Sequence, residues 1–189
     1  MSTRRNPIPE HARMVFKGVL FEVWQWEQEM FDGSKQTFER LRRPNTVQVV
    51  ATVGDEILIQ DERQPDSSRA FPSIPGGRAD EGEAPLESAK REMMEETGYS
   101  SEDWELWKEE NPVGKIQWTV YTYIARNCKK TGEPHTDAGE KISSKLVSFN
   151  EFLALADDSN FYSPEIVPEM LRMRIDTARR EEFKNRLFG

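Results

Sequence analysis

Cysteine is almost absent from this 189-residue chain, and the lone Cys128 excludes both an intrachain disulfide and a zinc site built on several thiolates. A reducing compartment, the cytoplasm, follows as the expectation. Long apolar runs are missing too: stretches such as TVQVVATV fall far short of the roughly 20 residues that span a bilayer. The opening MSTRRNPIPE carries no apolar core, so neither a membrane span nor a secretory leader is expected. An excess of positive charge is also lacking. With 34 acidic residues against 26 basic ones the formal charge is -8, which disfavours nucleic acid or an anionic membrane as a partner. A polyanionic small molecule would need metal ions or locally placed arginines. Repeats and low-complexity tracts are absent as well, which leaves one domain with additions.

What is present begins with strands. MVFKGVLFEVWQWEQEM (14–30) is rich in β-branched and aromatic residues, and Asp32-Gly33 signals a turn into SKQTFERLRR, so an N-terminal β-hairpin is expected over 1–45. TVQVVATV, the turn Gly54-Asp55 and EILIQDERQ read as a second hairpin. Pro85 at a first helical position and Gly98 at a left-handed cap bound a helix over 85–97. KIQWTVYTYIAR (115–126) and KISSKLVSF read as further strands, NEFLALADD as a helix capped by Asn150, and the chain from Ser163 as one charged amphipathic helix. Strands and helices without regular βαβ alternation predict an α+β fold.

The helix over 85–97 carries the chemistry. At 100° per residue, Leu86, Ala89, Met93 and Thr97 share one face suited to packing on a sheet. Glu92, Glu95 and Glu96 fall on the adjoining flank at i, i+3 and i+4, with β-carbons about 5–6 Å apart. Carboxylates that close can share cations, although a solvated acidic flank has the same spacing.

The residues upstream favour the first reading. From Gly77 to Tyr99 the chain resembles the Nudix box, G-x5-E-x7-R-E-U-x-E-E-x-G-U with U a bulky apolar residue. Gly77, Glu83, Arg91, Glu92, Glu95, Glu96 and Gly98 stand at its fixed positions, and Met93 and Tyr99 at its bulky ones. The resemblance implies a Nudix-type mixed β-sheet flanked by helices, an α/β/α sandwich, over 46–189. It also implies hydrolysis of a phosphoanhydride in a nucleoside diphosphate joined to another group. Two or three Mg²⁺ or Mn²⁺ ions would be held by Glu92, Glu96, the Gly76 carbonyl and additionally Glu95, with Arg91 and Glu83 holding the glutamates in place. The intact box speaks for an enzyme over a nucleotide-sensing module that has lost catalysis.

Residues 1–45 look like the β-rich extension of the ADP-ribose and nucleotide-sugar pyrophosphatases, which implies a homodimer and no nucleic-acid or membrane partner. By that likeness Glu140 is the first candidate for general base, ahead of Glu133, Asp137, His135 or a box glutamate. Arg63 and Arg78 are candidates for phosphate contact. Trp24 and Trp26, on one strand face, are candidates to stack on a base or sugar or to pack an interface. The chain departs from that group in Pro112, which stands early within ENPVGK, and in SIPGG before the box. ADP-ribose, a nucleotide sugar, a dinucleoside polyphosphate and a nucleoside triphosphate therefore all stay open as substrates.

Overall fold

The computed structural model describes residues 7–135, 139 and 141–189. Strands β1 (Arg13–Lys17), β2 (Glu22–Glu29) and β3 (Lys35–Arg42) form an antiparallel meander, so the extension has three strands where two were expected. The turn at Asp32-Gly33 is in place, with Gly33 at φ +82°. The unanticipated turn lies at Gly18–Phe21, where the Gly18 N–H donates to the Phe21 carbonyl at 2.8 Å. A nearly unbroken apolar and aromatic run hid it.

Next come β4 (Thr46–Val53) and β5 (Glu56–Arg63), joined as expected at Gly54-Asp55, then β6 (Phe71–Ser73) and β7 (Gly76–Arg78). Helix α1 (Pro85–Thr97) is followed by β8 (Tyr99–Ser100), β9 (Asp103–Glu110), β10 (Ile116–Gln117), β11 (Val120–Arg126), β12 (Lys129–Lys130) and β13 (Lys141–Val147). Helices α2 (Phe149–Ala154), α3 (Val167–Ile175) and α4 (Thr177–Phe188) end the chain. The main sheet runs β13-β5-β4-β11-β9, with β6 paired to β5 and β7 to β4. β11 lies parallel to β4 and antiparallel to β9. β8 and β12 form a small ribbon.

Period-two alternation sets the two faces of the main sheet. Val47, Val49, Ala51, Leu58 and Tyr123 pack with Ala89 and Met93 of α1 on one side. Val50, Ile57, Ile59 and Ile124 pack with α2, α3 and α4 on the other, through Phe152, Met170, Met173, Phe183 and Leu187. This is the expected α/β/α sandwich.

Several boundaries differ from the sequence reading. The expected strand 115–126 is two: β10 pairs in parallel with β3 of the N-terminal sheet, while β11 enters the main sheet. The switch occurs at Trp118-Thr119, pinned by bonds from the Trp118 indole to Thr46 Oγ1 at 2.9 Å and from the Thr119 N–H to Asn45 at 3.0 Å. β9 was not foreseen. Its sequence DWELWKEE is mostly charged, as suits an edge strand, where Glu105 meets Arg126 and Arg186. α2 begins two residues earlier than read: Ser148, not Asn150, is its cap, in a capping box with Glu151. The C-terminal helix is broken at Asp176, whose carboxylate accepts from the Arg179 N–H at 3.1 Å and starts α4. Among the described residues no helix is long and apolar enough to cross a membrane. Cys128 is buried, and burial pushes its thiol up to about 11.

Met93 is fully buried between α1 and the sheet. Met93→Ala is expected to lower the unfolding free energy by about 2–5 kcal/mol, read from urea denaturation followed by circular dichroism.

Candidate active site

The glutamate helix is fixed at both ends. Pro85 opens it, and Gly98 at φ +72° closes it with its N–H donating to the Met94 carbonyl at 2.8 Å. A side chain at Gly98 would collide with the Gly132 carbonyl, because the following loop is clasped to this helix end. The N–H groups of Thr131 and Gly132 donate to the Gly98 carbonyl at 2.9 and 3.1 Å, and that of His135 donates to the Glu95 carbonyl at 2.6 Å. With Ala89, Met93 and Thr97 buried and Leu86 packed beside them, the three glutamates project from the flank over β7.

Glu96 is the buried member, 9% exposed. Its Oε2 accepts from Gln60 Nε2 and from the Gly76 N–H, each at 2.9 Å. Burial pushes its carboxyl up to about 8; the bonds from Gln60 and Gly76 oppose this, and the charges of Glu92 and Glu62 add to it. Glu92 lies directly over Gly77, where a β-carbon would stand 2.5 Å from the carboxylate. A side chain there would push the carboxylate aside, which gives the box's first residue a physical reason. At Gly76 a side chain would run into the Val47 carbonyl.

Arg91 ties the acids together. Its Nη1 donates to Glu92 Oε1 and Glu95 Oε2 at 3.0 Å each, and its Nη2 to Glu83 at 3.1 Å and the Arg78 carbonyl at 3.3 Å. Glu83, also bonded by Ser88 at 2.7 Å, is held below the usual carboxylate range, chiefly by Arg91. The sequence reading assigned Arg91 and Glu83 this holding role.

The opposite wall was missed. Gln60, fully buried, accepts from Ser73 Oγ at 3.2 Å; Ser73 also donates to Glu62 at 3.1 Å, and Gln64 donates to Glu62 at 2.5 Å. The signal was present: in β5, Leu58 packs toward α1, and the alternation carries Gln60 and Glu62 onto the same face. Arg63 falls on the other parity, is exposed, and does not line the cleft.

These groups form the floor of a cleft of about 850 Å³ that extends past Arg78 to Arg43, Trp118 and Glu165. The Arg43 guanidinium lies 4.7 Å from the centre of the Trp118 ring, and its buried Nε has no hydrogen-bond partner among the described residues. Burial lowers the Arg43 pKa, as does nearby Arg78, while Tyr162 and Glu165 work the other way. Two arginines facing one cleft form a receptor for anionic oxygens. Arg43 was not singled out from the sequence; it stands where the chain passes from one sheet to the other.

Of the remaining candidates, His135 lines the cleft, and Glu133 is exposed beside Lys130 at 3.4 Å. Glu140 and Asp137 lie outside the described residues. Trp24 and Trp26 sit in the N-terminal sheet and do not line this chain's cleft. Trp26 is buried, its ring 6.0 Å from that of Phe38; Trp24 stacks with Arg42 at 4.5 Å.

The donor set is all hard oxygen, which suits Mg²⁺ or Mn²⁺ over softer metals. Among the described residues no three His, Cys, Asp or Glu side chains converge into a ready cation cage. Their oxygens are engaged by Arg91, Gln60 and the Gly76 N–H. The residues nevertheless fit such ions, because Gly77 leaves room at Glu92, and burial disfavours the Glu96 anion, a cost that a bound cation would offset.

A family model described as the NUDIX domain matches residues 42–170. The chain is 24% identical over 172 residues to the methanol dehydrogenase activator of Bacillus methanolicus, covering 88% of this chain and 92% of that one. It is 32% identical over 89 residues to the ADP-ribose pyrophosphatase of Bacillus subtilis, 46% of this chain and 48% of the relative. Among solved structures, the crystal structure of an ADP compounds hydrolase superposes over 100% of both chains with a TM-score of 0.74 at 21% identity, a likeness of fold.

Because a β-carbon at position 77 meets the Glu92 carboxylate, Gly77→Ala is expected to weaken Mg²⁺ binding by about 10–100-fold in calorimetric titration. Unaltered affinity would remove Glu92 from the proposed ligand set.

Proposed function

This chain belongs to the Nudix family, and on that premise we propose that it cleaves the phosphoanhydride of a nucleoside diphosphate joined to a second group, of the ADP-ribose or nucleotide-sugar type. It is a Nudix pyrophosphohydrolase, a class that acts on small-molecule nucleotide derivatives and generally uses divalent metal ions. The carrying observation is the juxtaposition of Glu92 over Gly77, buried Glu96 and the Arg43–Arg78 pair within one cleft. The partial match to an ADP-ribose pyrophosphatase supports the substrate type.

Glu92, Glu96 and the Gly76 carbonyl would hold two or three Mg²⁺ or Mn²⁺ ions, with Glu95 as a further ligand. Such ions, when bound, neutralise charge on the leaving phosphate and lower the pKa of the attacking water. The chain's own groups do the positioning. Arg91 orients Glu92 and Glu95, and Gln60 and the Gly76 N–H fix one oxygen of Glu96 so that the other stays available. Arg43 and Arg78 would take the phosphate oxygens in bidentate fashion. Glu140 is the proposed general base, from the loop rooted at the clasp on α1. The acidic chain with one buried thiol suits the cytoplasm.

We also propose a homodimer formed through the extension, 1–45. β1 is an edge strand, exposed along its length, with Met14, Val15 and Phe16 at 46, 43 and 59% exposure. An apolar open edge of this kind is a site for strand pairing with a second copy. Trp24 and Trp26, which do not line their own cleft, would contact substrate only across that interface.

The enzymatic reading is tested by incubating the protein and Mg²⁺ with ADP-ribose, nucleotide sugars, dinucleoside polyphosphates and nucleoside triphosphates, with products resolved by chromatography. At least one diphosphate-linked compound is expected to be cleaved to a nucleoside monophosphate. Glu92→Gln and Glu96→Gln should each lower kcat by about 100-fold or more, beyond the usual effect of losing an outer partner. Normal turnover in both folded variants would refute the site, and no turnover of any compound would favour a nucleotide sensor. For the dimer, Phe16→Glu is expected to shift sedimentation from two copies to one; a wild-type protein that sediments as a 22.0 kDa monomer refutes it.

A further inference from the structure

The fully buried Gln60 holds Glu96 through its amide nitrogen, at 2.9 Å. An amide turned by 180° fills nearly the same space with its oxygen where its nitrogen stood, so packing alone does not choose between the two directions. Hydrogen bonds make the choice. With the nitrogen toward Glu96 the contact is donor to acceptor; with the oxygen there, two acceptors would face each other in a buried setting. The Glu96 carboxylate is therefore only as well placed as the amide beside it.

The other end of that amide meets Ser73. Antiparallel pairing of β5 with β6 sets Ser73 directly across from Gln60, and its Oγ lies 3.2 Å from Gln60 Oε1 and 3.1 Å from Glu62 Oε2. A serine hydroxyl has one proton, and both of these neighbours are acceptors. Burial decides the contest. Among the described residues Ser73 is the donor to Gln60 Oε1, whereas Glu62 is half-buried, lines the open cleft and also receives a bond from Gln64 at 2.5 Å. An oxygen left unpaired costs more at the enclosed Gln60 than at the wetted Glu62. Strand β6 is tied in addition to the segment before α3, where the Tyr162 N–H donates to the Pro72 carbonyl at 2.8 Å. Three residues after Ser73, the Gly76 N–H is the second donor to Glu96, at 2.9 Å. The stretch 73–76 thus acts on one carboxylate twice, directly through Gly76 and indirectly through Gln60.

We infer that Ser73 is a positioning residue for the acid cluster: by giving its proton to Gln60 it fixes the direction of the amide, and with it the Glu96 oxygen left open to a divalent cation. The inference rests on the reading of Glu96 as a metal ligand.

The test is a double-mutant cycle on Mg²⁺ affinity, measured by calorimetric titration. Ser73→Ala removes the donor, and Gln60→Met removes the amide at similar volume. Each change alone is expected to raise the Kd for Mg²⁺ about tenfold. Because Ser73 acts through Gln60, adding Ser73→Ala to Gln60→Met should change the Kd by less than about twofold. A loss there as large as in the wild-type background, or a Kd in Ser73→Ala within about twofold of wild type, overturns the inference. Ser73→Cys, a weaker donor of similar shape, should fall between serine and alanine, and it takes the place of the alanine variant if that one does not fold. The amide is also read without metal, from the side-chain resonance in ¹H–¹⁵N spectra that disappears in Gln60→Met. Its hydrogen exchange is expected to be at least about tenfold faster in Ser73→Ala than in wild type, and equal rates overturn the inference. A wild type that binds no Mg²⁺ refutes the metal reading by itself, and the exchange rates then decide the role of Ser73.

Discussion

A carboxylate held away from water at Glu96 is the constraint around which the rest of this molecule is arranged. Its charge is disfavoured by burial and by the neighbouring carboxylates, and donors brought from two other elements offset only part of that cost. Gln60 can reach it only because β5 presents that position to α1, and the Gly76 N–H only because β7 runs beside β4. Met93, three residues earlier and fully buried, sets the depth at which α1 sits. Sheet register, helix depth and the electrostatics of one oxygen are thus a single geometric problem.

Arg91 solves the complementary problem at the surface of the same helix. Glu92, Glu95 and Glu83 converge on one guanidinium, which raises its pKa, chiefly through Glu83. Exposed like-charge pairs at helical spacing cost only a few tenths of a kcal/mol each. The more consequential effect is orientation: a planar fork with several fixed donors leaves the acids few alternative directions.

Legibility in the sequence followed the range of the interactions involved. Helix α1 could be bounded to the residue because proline and a left-handed glycine act locally, and its faces followed from periodicity alone. Gly77 and Glu92 were visible as positions of one spaced motif, whereas their contact needed the fold. Alternation along β5 places Gln60 and Glu62 on the face of Leu58, but that this face meets α1, and that Ser73 joins them, follows only from the pairing of β5 with β6 and the packing of the helix. Arg43 needed the sheet switch at Trp118-Thr119 to be known, since one residue is near the other only when β10 and β11 go to different sheets. The turn at Gly18 and the edge strand β9 were missed for opposite reasons: one was too apolar to look like a turn, the other too charged to look like a strand.

The clasp between α1 and the loop at 131–135 also divides the chain by what it can tolerate. Backbone bonds from Thr131, Gly132 and His135 hold the root of that loop in register with the helix end, and Gly98 admits no replacement there without collision. Changes of length before His135 would be transmitted into the acid floor. The number of residues between Gly98 and His135 is therefore a property of the helix as much as of the loop, inherited with the acids rather than varied apart from them.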